Sequence, residues 1–380
     1  MHANRALVAA GAATLLIAAL MPGAVSADAP YQVVADGLHS PRGLTFGPGD
    51  RLYVAEAGSG STAQDPIGHD GAIREIVGPA SAQPTLRTVI SGLPSIGDGG
   101  EILRVDGISA MGNGSIYAIM AESAPAIGDP AFGTLIKVST GGQMRTVADV
   151  GGPNYAWTGS VVGDPVYDPG DQYPDANPYG VLALPGRTYV VDAGANTLNE
   201  VMPNGRVRIL AFFPNIDFAV PFPPFETKTD ATPTCVAQGP DGMLYVGILS
   251  LVPSFFAEPT AKVYRVDPSK VGQGGEVTVL GPSDEWATGL WPINGCAFGP
   301  DGSFYASELF TSSSFGPAGP EFSGGDVVTI PFATPATHVS LTGGTLPLAG
   351  GVAVARDGTV YAVGLTAFAP TGFVARLTSH

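Results

Sequence analysis

The sequence is short of positive charge, of cysteine and of histidine. Lys and Arg number 17 against 33 Asp and Glu, a net charge of −16, and a chain so poor in cations has little with which to neutralise a phosphate backbone, which excludes nucleic acid as the expected partner. There is no Cys-x-x-Cys, His-Glu-x-x-His, Gly-x-Ser-x-Gly, Gly-x-x-x-x-Gly-Lys or Gly-x-Gly-x-x-Gly, so the readily recognised zinc, nucleophile and nucleotide chemistries have no motif here. Past residue 21 no run of apolar residues is long enough to span a bilayer. Charged residues make up only 13% of the chain against 44% hydrophobic, a balance that buries a core and does not leave a disordered polymer. What is abundant is turn chemistry: 53 Gly and 35 Pro fall between short runs rich in Val, Ile and Tyr, the punctuation of many short strands.

Residues 1–27 have the layout of a secretory signal. Arg5 precedes an apolar or small stretch from Ala6 to Met21, Pro22-Gly23 breaks it, and Ala24-Val25-Ser26-Ala27 offers small residues for cleavage near Ala27. The expectation is a secreted, extracellular protein whose mature chain has no membrane span. An oxidising compartment leaves Cys235 and Cys296 free to bond to each other. They stand on neighbouring first strands with opposite parity relative to their Asp-Gly turns, so the two side chains can face one another.

One pattern occurs six times: an apolar strand, a tight turn on Asn-Gly, Asp-Gly or a Gly substitute, and a second strand opening on an aromatic. Tyr53, Tyr117, Tyr189, Tyr245, Tyr305 and Tyr361 hold the same place, at spacings of 64, 72, 56, 60 and 56 residues. A third strand follows most copies, and a fourth is read at Leu86–Ile90, Met144–Ala148, Val207–Leu210 and Val277–Leu280. Four strands per unit predict an all-β, six-bladed β-propeller spanning residues 28–380 as a single domain. The sixth unit ends after its third strand, at Gly372–Leu377, while Tyr31–Asp36 matches a fourth strand. Ring closure by the N-terminal strand in the last blade follows, and it leaves no unpaired seam between first and last units.

In such a blade the first-to-second turn lies on one face, and the segments before strand one and after strand two lie on the other. The latter are long: 57–71, 123–133, 151–177, 214–233, 250–261 and 309–325. Long segments on a rigid scaffold are the usual place for binding, so this is taken as the upper face. Glu56, Asp192 and Glu308 follow their tyrosines by three places, and Arg42, Asp106, Asn177, Thr234 and Asn294 come just before first strands. Oxygen donors from several strands suit Ca²⁺; the same carboxylates have a second use, capping loop amides or pairing with Arg42. His39 and His69 are the histidines near this face, and His39 beside Glu56, or Asp106, is the candidate base. Asp164, Asp168, Asp171 and Asp175 form an acidic loop without a calcium-loop motif, and the Phe and Pro residues from Phe212 to Phe225 are a candidate aromatic wall.

These residues resemble the secreted six-bladed propellers related to NHL-repeat and gluconolactonase-like proteins, and within them the ScyD/ScyE family. The likeness rests on Asn177-Pro178-Tyr179-Gly180, Val191-Asp192-Ala193-Gly194-Ala195-Asn196, Pro233-Thr234-Cys235, Gly239-Pro240-Asp241-Gly242-Met243-Leu244-Tyr245 and Val263-Tyr264-Arg265-Val266. It implies export and a six-bladed ring. Gluconolactonase-like enzymes hold a divalent ion at the channel top with a Glu, Asn residues and an Asp; the resemblance assigns those parts to Glu56, Asp192 and Asn294, with Arg42 standing where an acidic ligand belongs. Two functions follow as expectations. One is a propeller that binds a small molecule or extracellular partner on its upper face through Arg42, Asn177, Tyr179, Asn196 and Thr234. The alternative is a divalent-metal-dependent hydrolase or lactonase with Glu56, Asp192, Asn294 and Glu308 as ligands.

Overall fold

The computed structural model describes residues 30–378, apart from 63–65, 98–101, 104, 168–173, 219–227 and 317–318. The expected signal segment lies outside the described residues.

Six antiparallel sheets succeed one another along the chain. Blade 1 is Pro41–Gly47, Arg51–Glu56, Gly68–Val77 and Thr85–Ser95. Blade 2 is Val105–Ala110, Ile116–Met120, Thr134–Val138 and Met144–Asp149. Blade 3 is Pro178–Leu184, Arg187–Asp192, Thr197–Val201 and Val207–Phe212. Blade 4 is Pro233–Gln238, Leu244–Ile248, Ala261–Val266 and Glu285–Leu290. Blade 5 is Ile293–Phe298, Phe304–Glu308, Asp326–Ile330 and Val339–Ser340. Blade 6 is Val352–Val354, Val360–Gly364 and Gly372–Leu377, completed by Tyr31–Leu38, which runs antiparallel to Gly372–Leu377 with Tyr31 opposite Leu377 and Ala35 opposite Val374. The protein is therefore a six-bladed β-propeller closed by its N-terminal strand.

The repeat can be read in physical terms. Gly49, Gly114, Gly186, Gly242, Gly302 and Gly358, one in each first-to-second turn, all have φ between 73° and 89°, a region where a Cβ is strained. Each conserved-register tyrosine works at a seam: Tyr245 of blade 4 meets Phe298 of blade 5 edge-on at 5.0 Å, and Tyr361 of blade 6 meets Phe46 of blade 1 at 5.5 Å. The buried apolar residues fall into six clusters, and each spans one pair of neighbouring blades. The core is thus a ring of six inter-blade layers, which is why the strands alternate so little between apolar and polar.

One strand assignment is corrected. Thr278–Val279 is not the fourth strand of blade 4; it lies parallel to Val207–Phe212 as a fifth strand of blade 3, pairing Ala211 with Thr278 and Phe212 with Val279. Blade 4 takes Glu285–Leu290 instead. The Val-Thr-Val stretch is extended, as its strand propensity suggests, and tertiary context decides which sheet it joins. A second difference concerns residues 151–177, expected as an open segment: Gly151–Ser160 is helical, with Asn154 and Thr158 fully buried beneath it.

Candidate functional site

Near its upper end, the first strand of blades 1 to 5 carries a bulge at one shared place. The pairing slips by one residue between Pro41 and Leu44, Val105 and Ile108, Pro178 and Gly180, Pro233 and Cys235, and Ile293 and Gly295. A bulge re-aims the side chain at the extra residue. Here the re-aimed residues are Arg42, Asp106, Tyr179, Thr234 and Asn294, which line one central cavity. Asn177 was placed in this row from the sequence; the structure puts Tyr179 there.

Just below the bulges the strands converge until side chains no longer fit. A Cβ on Gly43, Gly107, Gly180 or Gly351 would sit 2.5 Å from a carbonyl oxygen of the adjacent first strand. Blade 4 has Cys235 at this position, and its sulfur is bonded to that of Cys296 in blade 5, with 5.7 Å between the Cα atoms. The cross-link thus joins adjacent first strands at the axis.

The polar ring above this neck is tied up internally. Arg42 Nε lies 3.4 Å from Asp106 Oδ1, both side chains almost wholly buried, and an Arg42 terminal nitrogen donates to the Ile102 carbonyl at 2.5 Å. The Tyr179 hydroxyl reaches past blade 4 to donate to Asn294 Oδ1 at 2.9 Å, and Thr234 Oγ1 donates to the Ile293 carbonyl at 2.6 Å. Thr366, which the sequence did not single out, donates to the Pro41 carbonyl at 2.7 Å. The remaining cavity is about 60 Å³. That is well below the ~300 Å³ at which small-molecule sites begin.

Glu56, Asp192 and Glu308 end the second strands of alternate blades, 1, 3 and 5. Each turns back to accept the N–H of a residue ahead of its own first strand: His39 at 3.0 Å, Asn177 at 2.7 Å and Trp291 at 2.9 Å. Glu56 also takes Arg74 Nε at 2.6 Å, and Asp192 takes the Ala195 N–H at 2.9 Å. These are loop anchors, repeated with the three-fold spacing of alternate blades. Among the described residues no group of three or more His, Cys, Asp or Glu is placed to share a metal ion. Asn294 is held in the axial ring by the Tyr179 hydroxyl, and Arg42 lines the same cavity. Each of the three strand-end carboxylates has one oxygen engaged by a loop amide, while Asp192 Oδ2 is buried without a hydrogen-bond partner.

The two candidate bases have different surroundings. Asp106 is 1% exposed beside Arg42. Glu56 meets the His39 main chain, not its ring, whose Nδ1 lies 3.2 Å from Ser59 Oγ and 3.9 Å from Asp70 Oδ2. Hydroxyl and carboxylate approach the same ring nitrogen, whereas a catalytic triad needs them on opposite ones. Asn196, with φ of 54°, accepts from Thr232 N and donates to Asp230, so it ties down a loop. Asn177 accepts from Glu122 N. In the acidic loop Asp168 and Asp171 lie outside the described residues. Phe212 and Phe213 belong to the blade core; of the described part of the proposed aromatic wall, Phe218 reaches the upper side, where it stacks on Phe256.

Two carboxylate neighbours went unrecognised in the sequence. Burial raises Glu308 to about 7, with Asp326 opposite it in the sheet adding to the rise. Asp326 begins a third strand, so matching third strands to second ones would have found it. Burial likewise raises Asp192 to about 7 and Asp175 to about 6, and the Asp175 charge adds to the rise at Asp192. The folded values lie above those of an unfolded chain. Stability from these groups is therefore fully present below about pH 4 and is lost as pH rises through about 6 to 7. Thermal unfolding is expected at higher temperature at pH 5 than at pH 8, with Asp192→Asn flattening that slope; an unchanged slope in the variant would show that Asp192 does not hold its proton.

No family model matches the chain, and no curated protein matches it in sequence. Among solved structures it is similar to the PQQ-bound aldose sugar dehydrogenase from Streptomyces coelicolor, with a TM-score of 0.51 at 14% identity over 91% of this chain and 96% of that one. It is also similar to a gluconolactonase from Xanthomonas campestris, with a TM-score of 0.50 at 9% identity over 91% and 89% of the two chains. At these identities the likeness is one of architecture, and what it shows is the propeller fold.

Proposed function

We propose that the protein is an exported propeller of the ScyD/ScyE type that binds a ligand or partner on its upper face and performs no metal-dependent hydrolysis. The observation that carries this reading is the engagement of the three strand-end carboxylates. Glu56, Asp192 and Glu308 hold the loops of that face in place, which is what a binding surface built on a rigid ring requires. An aromatic surface over blades 4 and 5 supports it further. Phe310 stacks on Phe322 at 4.5 Å, Phe322 meets Phe255 at 5.1 Å, and Trp291 meets Phe310 at 6.2 Å. Phe255, Phe322 and Trp291 are only partly buried, so the surface offers apolar area to a partner carrying rings or alkyl groups.

The test is metal analysis of the purified mature protein, with thermal unfolding in calcium and in chelator for the wild type, Glu56→Ala and Asp192→Ala, alongside lactone hydrolysis. Expected are no stoichiometric metal, no calcium-dependent shift, no turnover, and destabilisation of both variants alike in calcium and chelator. A calcium-dependent rise in Tm that both variants abolish, together with lactone turnover, would replace this reading with the lactonase. N-terminal sequencing of the exported protein checks the compartment, a start at Asp28 being the expected result.

A further inference from the structure

Three segments of the upper face meet over blades 3 to 5: the hairpin of Ile216–Asp217 with Lys228–Thr229, the short helix Leu251–Ser254, and the hairpin of Ser312–Gly316 with Gly319–Ser323. The Ser313 hydroxyl donates to the Ser254 carbonyl at 2.5 Å, which ties the last two together. Their rings form one chain of contacts. Phe218 stacks on Phe256 with centroids 6.4 Å apart, the adjacent Phe255 meets Phe322 at 5.1 Å, and Phe322 stacks on Phe310, which meets Trp291. Phe218 and Phe310 are buried, while Phe255, Phe256, Phe322 and Trp291 keep part of their surface in water.

The segments that carry these rings are negative. Residues 214–233, 250–261 and 309–325 include Asp217, Glu226, Asp230, Glu258 and Glu321, and Lys228 is their only cation. Its Nζ lies 3.5 Å from Asp217 Oδ1, so that charge is already answered. The sign selects among guests for an apolar surface. A second copy of this chain would bring the same charge to the contact, and a lipid surface is itself negative. A polypeptide with basic side chains brings the opposite sign, and guanidinium and ammonium groups are also attracted to ring faces.

We propose that the aromatic chain from Phe256 to Trp291 docks a basic segment of a partner protein, with apolar or aromatic side chains against Phe255, Phe322 and Trp291 and with Lys and Arg toward the surrounding carboxylates. The inference rests on the upper face being a binding surface and adds the class of partner. Covering the rings supplies most of the affinity, and the carboxylates at the margin supply orientation and a faster encounter.

The probe is the peptide Arg-Trp-Arg-Trp-Arg, titrated into the intact mature protein by calorimetry, beside Glu-Trp-Glu-Trp-Glu and Arg-Ala-Arg-Ala-Arg. The expected result is saturable binding of the first alone, weakened about tenfold by Phe255→Ser. The surface pair Asp217→Asn/Glu258→Gln leaves the rings in place and should weaken it about threefold. Asp357→Asn removes a charge from a lower-face turn and keeps an oxygen for the Thr359 N–H, so it should bind as wild type. Equal binding of the acidic peptide, lost in Phe255→Ser, would leave the upper face a binding surface and overturn the basic partner. Binding that Phe255→Ser does not weaken, or that Asp357→Asn weakens as much as the upper-face pair does, would trace the attraction to the net charge of −16 and overturn the proposal. Sedimentation of the protein alone checks for a second copy: a dimer that Phe255→Ser dissociates would also overturn it. So would the absence of saturable binding by any peptide, and the calcium and lactone measurements then decide the broader reading by themselves.

Discussion

Arg42→Met is expected to destabilise the protein by about 3–5 kcal/mol, because it takes the cation from beside a carboxylate that the ring has withdrawn from water. Asp106 is 1% exposed and Arg42 3% exposed, and the two sit 3.4 Å apart where the first strands of blades 1 and 2 meet at the axis. Methionine matches the arginine stem in length and apolar character, so packing is largely kept and the charge is what changes. The double variant Arg42→Met/Asp106→Leu is expected to recover most of the loss, since two apolar groups make no demand on each other. Denaturant unfolding of the wild type, both single variants and the double variant gives the coupling directly. Additive effects in that cycle would show that the pair does not act as a unit.

Removal of Tyr31–Leu38 has the second large effect. Leu38 is fully buried and Val34 nearly so, in the cluster that joins blade 6 to blade 1. Without them that cluster loses its outer wall, and the edge of Gly372–Leu377 becomes a template for pairing with other chains. The shortened chain is expected to accumulate as aggregate, and a peptide of residues 30–38 added during refolding is expected to restore soluble protein. Soluble, cooperatively folding protein without the strand or the peptide would mean that the ring does not depend on this closure.

Much of this architecture was legible in the sequence because it depends on short-range chemistry. A Gly at positive φ followed by an aromatic a few residues later is a local requirement, and it recurs at every turn from Gly49 to Gly358. The closing strand was legible for the same reason, as a fourth strand missing at one end and present at the other. What was not legible depends on register and on distant partners. Tyr179, not Asn177, faces the axis because a one-residue bulge decides which side chain turns inward, and nothing in Asn-Pro-Tyr-Gly marks where that bulge falls. The carboxylates Glu56, Asp192 and Glu308 were found by position, yet their role is set by amides 15 to 17 residues earlier in the chain. The strand at Thr278–Val279 was recognised as a strand and given to the wrong sheet, since propensity says that a segment is extended and says nothing about its neighbour.

That misassigned segment bears on how the molecules behave when crowded. Around the perimeter of a propeller every sector ends in an exposed rim of main-chain donors and acceptors, and concentrated solutions bring such rims side by side. Along Val207–Phe212 the rim is occupied by two residues from the neighbouring sector. Lateral sticking between molecules is therefore expected to begin elsewhere on the circumference.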